Sequence, residues 1–205
     1  MNQFRSYMSD IQRTIDRLPI QSIETVVERL HGARMKRQQI FVMGNGGSAA
    51  TASHMACDLG KNTIAPNTPR IRIHALTDNM SFFSAYGNDC GYESVFAEQL
   101  ANYVEANDVV IAISASGNSA NVLNAVKLAR EHGAYTIGWS GYDGGKLAHL
   151  VDLPIVVPSH NIEQIEDIHM MLSHMVTMAL RNAVQKPHLF AVNGSATPLP
   201  TLIAN

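Results

Sequence analysis

The side chains best suited to chemistry are histidines and carboxylates on two predicted helices. His54 and Asp58 are four positions apart in the helix that follows a glycine-rich turn, so both project from one helical face. In the last predicted helix, Glu166 can share a face with either His169 or His174, and the spacing alone does not choose between them. Two histidines and two carboxylates are suited to acid–base chemistry and to a divalent ion such as zinc. Because a lone helical histidine is often an ordinary core or surface residue, the surrounding elements must decide.

The glycine-rich turn GNGGSA, residues 44–49, follows a predicted strand and opens a helix. Such a turn commonly binds phosphate. Gly44, Gly46 and Ala49 match the G-x-G-x-x-A pattern of dinucleotide-binding folds, which expects an acidic residue about 20 positions further on. The nearest acidic residue after the second predicted strand is Asp78, which lies 34 positions after Gly44. The turn therefore favours a phosphorylated ligand other than a dinucleotide.

A second polar loop, SASGNSANV at residues 114–122, follows the third predicted strand. Ser114, Ser116, Asn118 and Ser119 concentrate hydroxyl and amide groups where the next helix begins. Hydroxyl groups, free backbone N–H groups and the positive end of a helix dipole together form an anion site. One serine or asparagine is enough for an ordinary helix cap, so four in six positions favour a phosphate monoester as the ligand.

Short apolar runs alternate with helical patterns along most of the chain. Two amphipathic helices, with apolar stripes that start at Phe4 and Ile23, precede the first strand and can face the domain, a partner subunit or both. Runs rich in β-branched residues then predict buried parallel strands at 39–43, 70–76, 109–113, 134–139 and 152–157. Helices are predicted between them, most clearly over 118–132, and a long final helix over 162–185. This order predicts an α/β fold, a three-layer doubly wound sandwich with a five-stranded parallel sheet, whose ligands bind beyond the carboxyl ends of the strands.

Composition and charge exclude several classes of function. With 205 residues, 46% of them hydrophobic, the chain can bury one sizeable core. The 15 Lys and Arg residues nearly balance the 17 Asp and Glu residues, so we expect no nucleic-acid or membrane partner. Cys57 and Cys90 form no CxxC pair, and no apolar run approaches the roughly 20 residues that span a bilayer. Because no export signal is visible either, we expect a cytoplasmic protein.

The two loops together resemble the signatures of the sugar isomerase (SIS) domain, and the resemblance extends from about residue 38 to 182. It is closest to the phosphoheptose isomerases, and the stretches ALTDNMSFFSAYGNDCGYESVF and GWSGYDGGKLAHLVDLPIVVPS are similar to further parts of that family. The resemblance implies an oligomerisation role for the helical pair at 1–37 and a phosphosugar-binding domain at 38–186. An irregular tail at 187–205 is predicted because it has three prolines and no helical period, so it is either a loosely attached strap or partly disordered. It also implies isomerisation of sedoheptulose 7-phosphate through an enediol, in a homotetramer with sites at subunit boundaries.

The same resemblance assigns roles to individual residues. It implies that Asp58, Glu166 and His174 are catalytic, and that these three residues and His54 form a metal site, often a zinc site in the family. The residues implied to hold the phosphate and the sugar are Asn45, Gly46, Gly47, Ser48, Asn88, Asp89, Ser114, Ala115, Ser116 and Ser119. The neighbouring Asn–Asp pair in this set also fits an ordinary Gly-Asn-Asp turn.

Two carboxylates depart from the family pattern. Asp58 stands where the family has a glutamate that acts as base, and Glu166 stands where it has a glutamine. A base at position 58 is thereby shorter by one methylene, while Glu166 gains a charge and can serve as base or as a stronger metal ligand. A family arginine after the base has no match, and the nearby Lys61 either complements the helix dipole or reaches the substrate. The alternative function is a non-catalytic SIS protein, either a phosphosugar sensor or a protein that binds a replication initiator.

Overall fold

The centre of the molecule is a five-stranded parallel sheet, seen in a computed structural model that describes residues 2–185. Its strands pair in the order β2-β1-β3-β4-β5, and their bounds are β1 (Gln39–Gly44), β2 (Arg72–Ala75), β3 (Val109–Ile113), β4 (Tyr135–Ser140) and β5 (Leu153–Val156). All neighbouring strands are parallel, and the register sets Gly44 beside Ile113. The five predicted strands are confirmed, because each begins and ends within two residues of its predicted bounds.

Helices cover both faces of the sheet. Those of residues 2–185 are α1 (Asn2–Ile15), α2 (Ile20–Met35), α3 (Gly47–Lys61), α4 (Met80–Asp89), α5 (Ala97–Ala101), α6 (Ala120–Glu131), α7 (Gly145–Leu150) and α8 (Ile162–Gln185). Two of them precede the first strand, as predicted, so the three-layer doubly wound fold is confirmed. No helix in this part of the chain combines the length and the apolarity needed to cross a membrane. The tail predicted at 187–205 lies outside the described residues.

Alternate residues of each strand contribute to two apolar layers. Ile40 and Val42 of β1 lie in a core shared with α2, α3 and α8. Phe41 and Met43 of the same strand lie in a second core shared with α5, α6 and α7. Because both faces are covered, every residue of β3 is buried. This explains why β1 and β3 read as continuous apolar runs. The edge strand β2, predicted to be buried, instead alternates exposed and half-buried residues, because only one side of it pairs with another strand.

The two N-terminal helices differ in burial. Val26 and Leu30 of α2 are 1% and 0% exposed, and both belong to the core that contains the sheet. In α1 only Thr14 is buried, whereas Phe4 and Met8 are 78% and 69% exposed. The predicted apolar stripe therefore faces the domain in α2 and faces outward from this single chain at the start of α1.

A buried arginine joins α2 to the distal parts of α3 and α8. Arg34 is 1% exposed, and its guanidinium donates to the Thr63 carbonyl at 2.6 Å and to the Leu180 carbonyl at 3.5 Å. It also donates to the Thr63 hydroxyl. Thr63 lies just beyond the last turn of α3, where a cation is favourable because the helix dipole is negative there. Three helices of one layer are thus linked through one side chain.

Candidate active site

The order of the strands reverses between β1 and β3, since the chain proceeds to β2 on one side and to β4 and β5 on the other. In open α/β sheets such a reversal leaves a crevice at the carboxyl ends of the two strands, where ligands bind. The glycine turn begins at Gly44, the last residue of β1, and the serine loop begins at Ser114, directly after β3. Both loops identified in the sequence therefore lie at this crevice.

The glycine turn leads the chain from β1 into α3 within two residues. A Cβ on Gly44 would lie 2.7 Å from Ser48 Cβ, an overlap that only glycine avoids. Gly46 has a φ of +55° at the N-cap of α3, a backbone conformation that favours glycine. Gly46 and Gly47 are exposed and Asn45 is half-buried, whereas Ser48 is 4% exposed. Asn45, Gly46 and Gly47, which are predicted to bind the substrate, are thus accessible to a ligand. The side chain of Ser48, which is predicted to do the same, is not accessible.

Asn45 is held by a second asparagine that the sequence analysis did not single out. Its Nδ2 donates to Asn121 Oδ1 at 2.8 Å, and Asn121 Nδ2 donates to Asn45 Oδ1 at 2.9 Å. The Tyr92 hydroxyl donates to the same Asn45 oxygen at 2.9 Å. Asn121 is 2% exposed and lies within the SASGNSANV stretch, and Tyr92 lies within the quoted stretch ALTDNMSFFSAYGNDCGYESVF, so a signal was present for both. The asparagine pair links the glycine turn to the start of α6.

The serine loop pairs its hydroxyl groups with one another. Ser114 Oγ and Ser119 Oγ are 3.0 Å apart, and Ser119 occupies the N-cap position of α6 without a side-chain capping hydrogen bond. Ser116 Oγ accepts a hydrogen bond from the Asn118 backbone N–H at 3.2 Å, and Ala115 is 8% exposed. Ser119 therefore does not act as an ordinary cap. The two paired hydroxyls lie at the positive end of α6, where an anion is favoured.

His54, Asp58 and His174 bring three possible metal-binding atoms together between α3 and α8. The Nε2 atoms of His54 and His174 are 2.9 Å apart, and they lie 3.3 and 3.9 Å from Asp58 Oδ2. Two ligand atoms of one tetrahedral zinc ion lie about 3.3 Å apart, given bonds of roughly 2.0–2.1 Å. The donor set and its spacing therefore fit one divalent ion.

The other oxygen of Asp58 is held by Asn62, the C-cap residue of the same helix. Asn62 Nδ2 donates to Asp58 Oδ1 at 2.8 Å, and the Asp58 side chain is only 16% exposed. A partner of this kind orients a carboxylate that binds a metal. Asn62 is not among the residues predicted from the sequence, although its position four residues after Asp58 was the available signal.

The two histidines of α8 that the spacing left open have different surroundings. His169 is 1% exposed, its Nε2 donates to the Ser140 carbonyl at 3.3 Å, and its ring centroid is 6.1 Å from that of Trp139. Burial lowers the pKa of His169 to about 4, partly offset by the hydrogen bond to Ser140. His169 is therefore a neutral core residue. His174, whose side chain is 54% exposed, is the histidine of α8 that reaches His54.

Glu166 is not part of the three-residue group. It is half-buried, and its carboxylate packs against Gly47 so closely that a Cβ at that glycine would overlap it. Gln164 is directed elsewhere, because it is 5% exposed and its Oε1 accepts a hydrogen bond from the Ser159 hydroxyl at 3.0 Å. The structure thus brings together three of the four predicted metal ligands and leaves the fourth, Glu166, beside the glycine turn.

Three other candidates make no hydrogen bond to the two loops or the histidines within residues 2–185. Asn88 and Asp89 are exposed at the end of α4, and Asn88 Nδ2 donates to Asp89 Oδ1 at 2.7 Å. Lys61 is exposed in the last turn of α3. Roles for these residues in binding the sugar stay predictions. Asp78, which the dinucleotide reading would need, accepts a hydrogen bond from the Ser53 hydroxyl instead.

Comparisons with family models, with curated relatives and with solved structures all indicate the same family. A family model described as SIS domain matches residues 3–141. The phosphoheptose isomerase of Aliarcobacter butzleri is 37% identical over 187 residues, which cover 89% of this chain and 95% of that relative. The solved structure of phosphoheptose isomerase from Neisseria gonorrhoeae has a TM-score of 0.80 and 31% identity, with 87% of this chain and 97% of that chain covered. The one from Francisella tularensis has a TM-score of 0.82 and 27% identity, with 88% and 97% covered.

The family model spans both loops and α3, and the relatives extend over most of the rest of the chain. The resemblance inferred from the two loops is therefore confirmed. This chain belongs to the SIS-domain family, among the phosphoheptose isomerases.

Proposed function

We propose that the chain is an aldose–ketose isomerase of a phosphorylated sugar, with sedoheptulose 7-phosphate as substrate. The observation that supports this most directly is that His54 and Asp58 of α3 and His174 of α8 converge. One possible ligand atom from each of the three side chains lies within 4.8 Å of the other two. Relatives of the same family carry the name phosphoheptose isomerase at 37–41% identity. A phosphate-binding loop beside an acid–base and metal-binding group is what such a reaction requires.

The serine loop holds the phosphate in this proposal. The hydroxyls of Ser114, Ser116 and Ser119 and the N-terminus of α6 provide donors and a positive dipole for a phosphate monoester. Ala115 contributes through its backbone, because its side chain is buried. Asn45 and the exposed backbone of Gly46 and Gly47 then contact the sugar hydroxyls from the neighbouring strand end.

The reaction transfers a proton between adjacent carbons. A base takes a proton from the carbon next to the carbonyl, and the C–H electron pair forms the C=C bond of an enediol while the carbonyl oxygen gains a proton from an acid. The base then gives the proton to the former carbonyl carbon, and the hydroxyl on the carbon that lost its proton becomes the new carbonyl by giving up its own proton. Asp58 and Glu166 are the two candidates for the base, and His174 is the acid through Nδ1, the ring nitrogen that does not belong to the ligand group. A divalent ion held by Asp58 and by the Nε2 atoms of His54 and His174, for which we propose zinc, would polarise the sugar oxygens.

The assembly is part of the same proposal. Phe4 and Met8 are 78% and 69% exposed on α1, so this helix offers an apolar surface that another copy of the chain can cover. We propose a cytoplasmic homotetramer, in which α1 contributes to the contact between subunits.

The test is to incubate the zinc-loaded protein with sedoheptulose 7-phosphate in deuterated water. We expect formation of the aldose and uptake of deuterium at the carbon that loses its proton, both monitored by NMR. The variant His54→Ala should lose zinc and both signals, while His149→Ala, which alters an exposed histidine of α7, should keep them. Absence of both product and exchange over a panel of sugar phosphates would refute the isomerase function and leave a non-catalytic phosphosugar-binding protein.

A further inference from the structure

We infer that Glu166, not Asp58, is the base that takes the proton from the sugar carbon. The inference rests on the proposed isomerase function and assigns one of its two open roles. It follows from a difference between the two carboxylates: one is fully engaged by neighbouring groups, and the other is available beside the predicted substrate.

Both oxygens of Asp58 already have partners. Oδ1 accepts a hydrogen bond from Asn62 Nδ2 at 2.8 Å, and Oδ2 lies 3.3 Å from His54 Nε2 and 3.9 Å from His174 Nε2. The side chain is 16% exposed. An oxygen that binds a metal together with two histidines is not available to accept a proton from carbon, and the remaining oxygen is directed towards Asn62, just beyond the end of α3. Asp58 is therefore suited to holding the metal.

The Glu166 carboxylate is differently placed. Within residues 2–185 it has no hydrogen bond or ion pair, and it lies against Gly47, the first residue of α3. Gly47 has no Cβ, and this absence is what admits the carboxylate, since a Cβ there would overlap it. Glu166 thus lies over exposed backbone of the glycine turn, which we assign to sugar binding.

This location is on the path of a substrate held by its phosphate. The serine loop and the glycine turn follow the adjacent strands β3 and β1, so a phosphate at the serine loop puts the sugar next to Gly47. His54 lies seven residues further along α3, which is two turns or about 10 Å. A sugar that extends from the serine loop towards the histidines therefore passes the Glu166 carboxylate before it reaches them.

Glu166 alone can serve as the base for both proton transfers at carbon. Its carboxylate takes the proton from the carbon next to the carbonyl, the C–H electron pair becomes the C=C bond, and the carbonyl oxygen is protonated by the acid of the site. Protonated Glu166 then gives the proton to the former carbonyl carbon, where the C=C electron pair forms the new C–H bond. The hydroxyl on the carbon that lost its proton returns its own proton to the acid of the site and becomes the new carbonyl. While it carries the proton, Glu166 can exchange it with solvent, which accounts for uptake of deuterium.

The experiment compares Glu166→Gln with Asp58→Asn and with a matched control, Glu163→Gln. Glu163 is exposed in the first turn of the same helix and undergoes the same chemical change. Glu166→Gln should slow deuterium exchange into sedoheptulose 7-phosphate by about 10²–10⁴, as expected for loss of a general base. Its affinity for cobalt, used as a coloured substitute for zinc, should stay within about threefold of the native protein. Asp58→Asn should instead lose cobalt affinity by at least about tenfold.

A conservative variant separates a chemical role from a structural one. Glu166→Asp keeps the charge but withdraws it by one methylene, so its rate should lie between those of the native protein and Glu166→Gln. Glu163→Gln should match the native protein in exchange rate and in cobalt affinity.

Three results would overturn the inference. A Glu166→Gln protein that retains more than a tenth of the native exchange rate would show that Glu166 is not the base. The isomerase function would still be supported in that case, because the native protein catalyses the exchange. A tenfold loss of cobalt affinity in Glu166→Gln would make Glu166 a metal ligand instead. If the native protein itself catalyses neither turnover nor exchange, the proposed function fails and the role of Glu166 fails with it.

Discussion

His169 and His174 lie five positions apart on α8, yet their surroundings give them opposite properties. His169 is 1% exposed and packs near Trp139 with its pKa lowered to about 4 by burial, so it stays neutral at pH 7. His174 is exposed, and its Nε2 lies 2.9 Å from that of His54. Five residues correspond to a rotation of about 140° around the helix axis, so the two histidines project in different directions. The difference shows that one face of α8 contributes to the stability of the core while another carries a side chain of the active site.

The strongest expected effect on this comparison comes from His174→Ala. We expect zinc affinity and isomerase rate to fall by at least about a hundredfold, because the variant removes one of three converging ligand atoms. Unfolding free energy without metal should change by less than about 0.5 kcal/mol, since the side chain is exposed. Zinc titration, the isomerase assay and urea unfolding measure the three quantities. If instead the main loss is in stability, His174 is a structural residue and the comparison fails.

The reverse pattern is expected of His169→Ala. Removal of this buried ring leaves a cavity and takes away one of the two hydrogen bonds to the Ser140 carbonyl, which keeps the one from the Val157 N–H, so unfolding free energy should fall by about 2–4 kcal/mol. Zinc affinity of the folded protein should stay within about threefold. Urea unfolding of the metal-free protein and zinc titration at low temperature test both parts. A large loss of affinity in protein that is still folded would mean that the two histidines act together.

The pH dependence of stability gives a smaller and more specific effect. The pKa of His169 is about 4 in the folded protein and 6.5 in the unfolded chain, so the unfolded chain binds more protons between these values. Stability should therefore fall as the pH falls, with His169 accounting for about 2 kcal/mol between pH 7 and pH 5. The measurement is urea unfolding of the native protein and of His169→Gln at both pH values. An equal pH dependence in the two proteins would show that His169 is not the group responsible.

Much of the fold was predictable because its signals are local. Parallel strands that are buried on both faces are continuous apolar runs, as in β1 and β3, and the five predicted strands agree with the observed ones to within two residues. The two polar loops were recognisable for the same reason, since each is a short segment at a strand end. Their position at one crevice then followed from the strand order.

The parts of the site that escaped prediction depend on distant contacts. Asn45 and Asn121 are 76 positions apart, and no helical or strand period links them. The place of Glu166 beside Gly47 depends on how far α3 and α8 are displaced along one another, which the spacing within either helix does not determine. The choice between His169 and His174 depends likewise on the rotation of α8 against the sheet. The sequence offers these residues as candidates, and packing selects among them.

The buried Arg34 has a consequence for how the chain can be divided. It reaches from α2 to carbonyls at the distal parts of α3 and α8, the two helices that carry the histidines. Leu180 is six residues beyond His174, about 9 Å along the helix. A fragment that began at the first strand would contain both loops and His54, Asp58 and His174, but it would lack the guanidinium that donates to the Thr63 and Leu180 carbonyls. The helices that carry the site therefore depend for their packing on α2, a helix that contains none of the site residues.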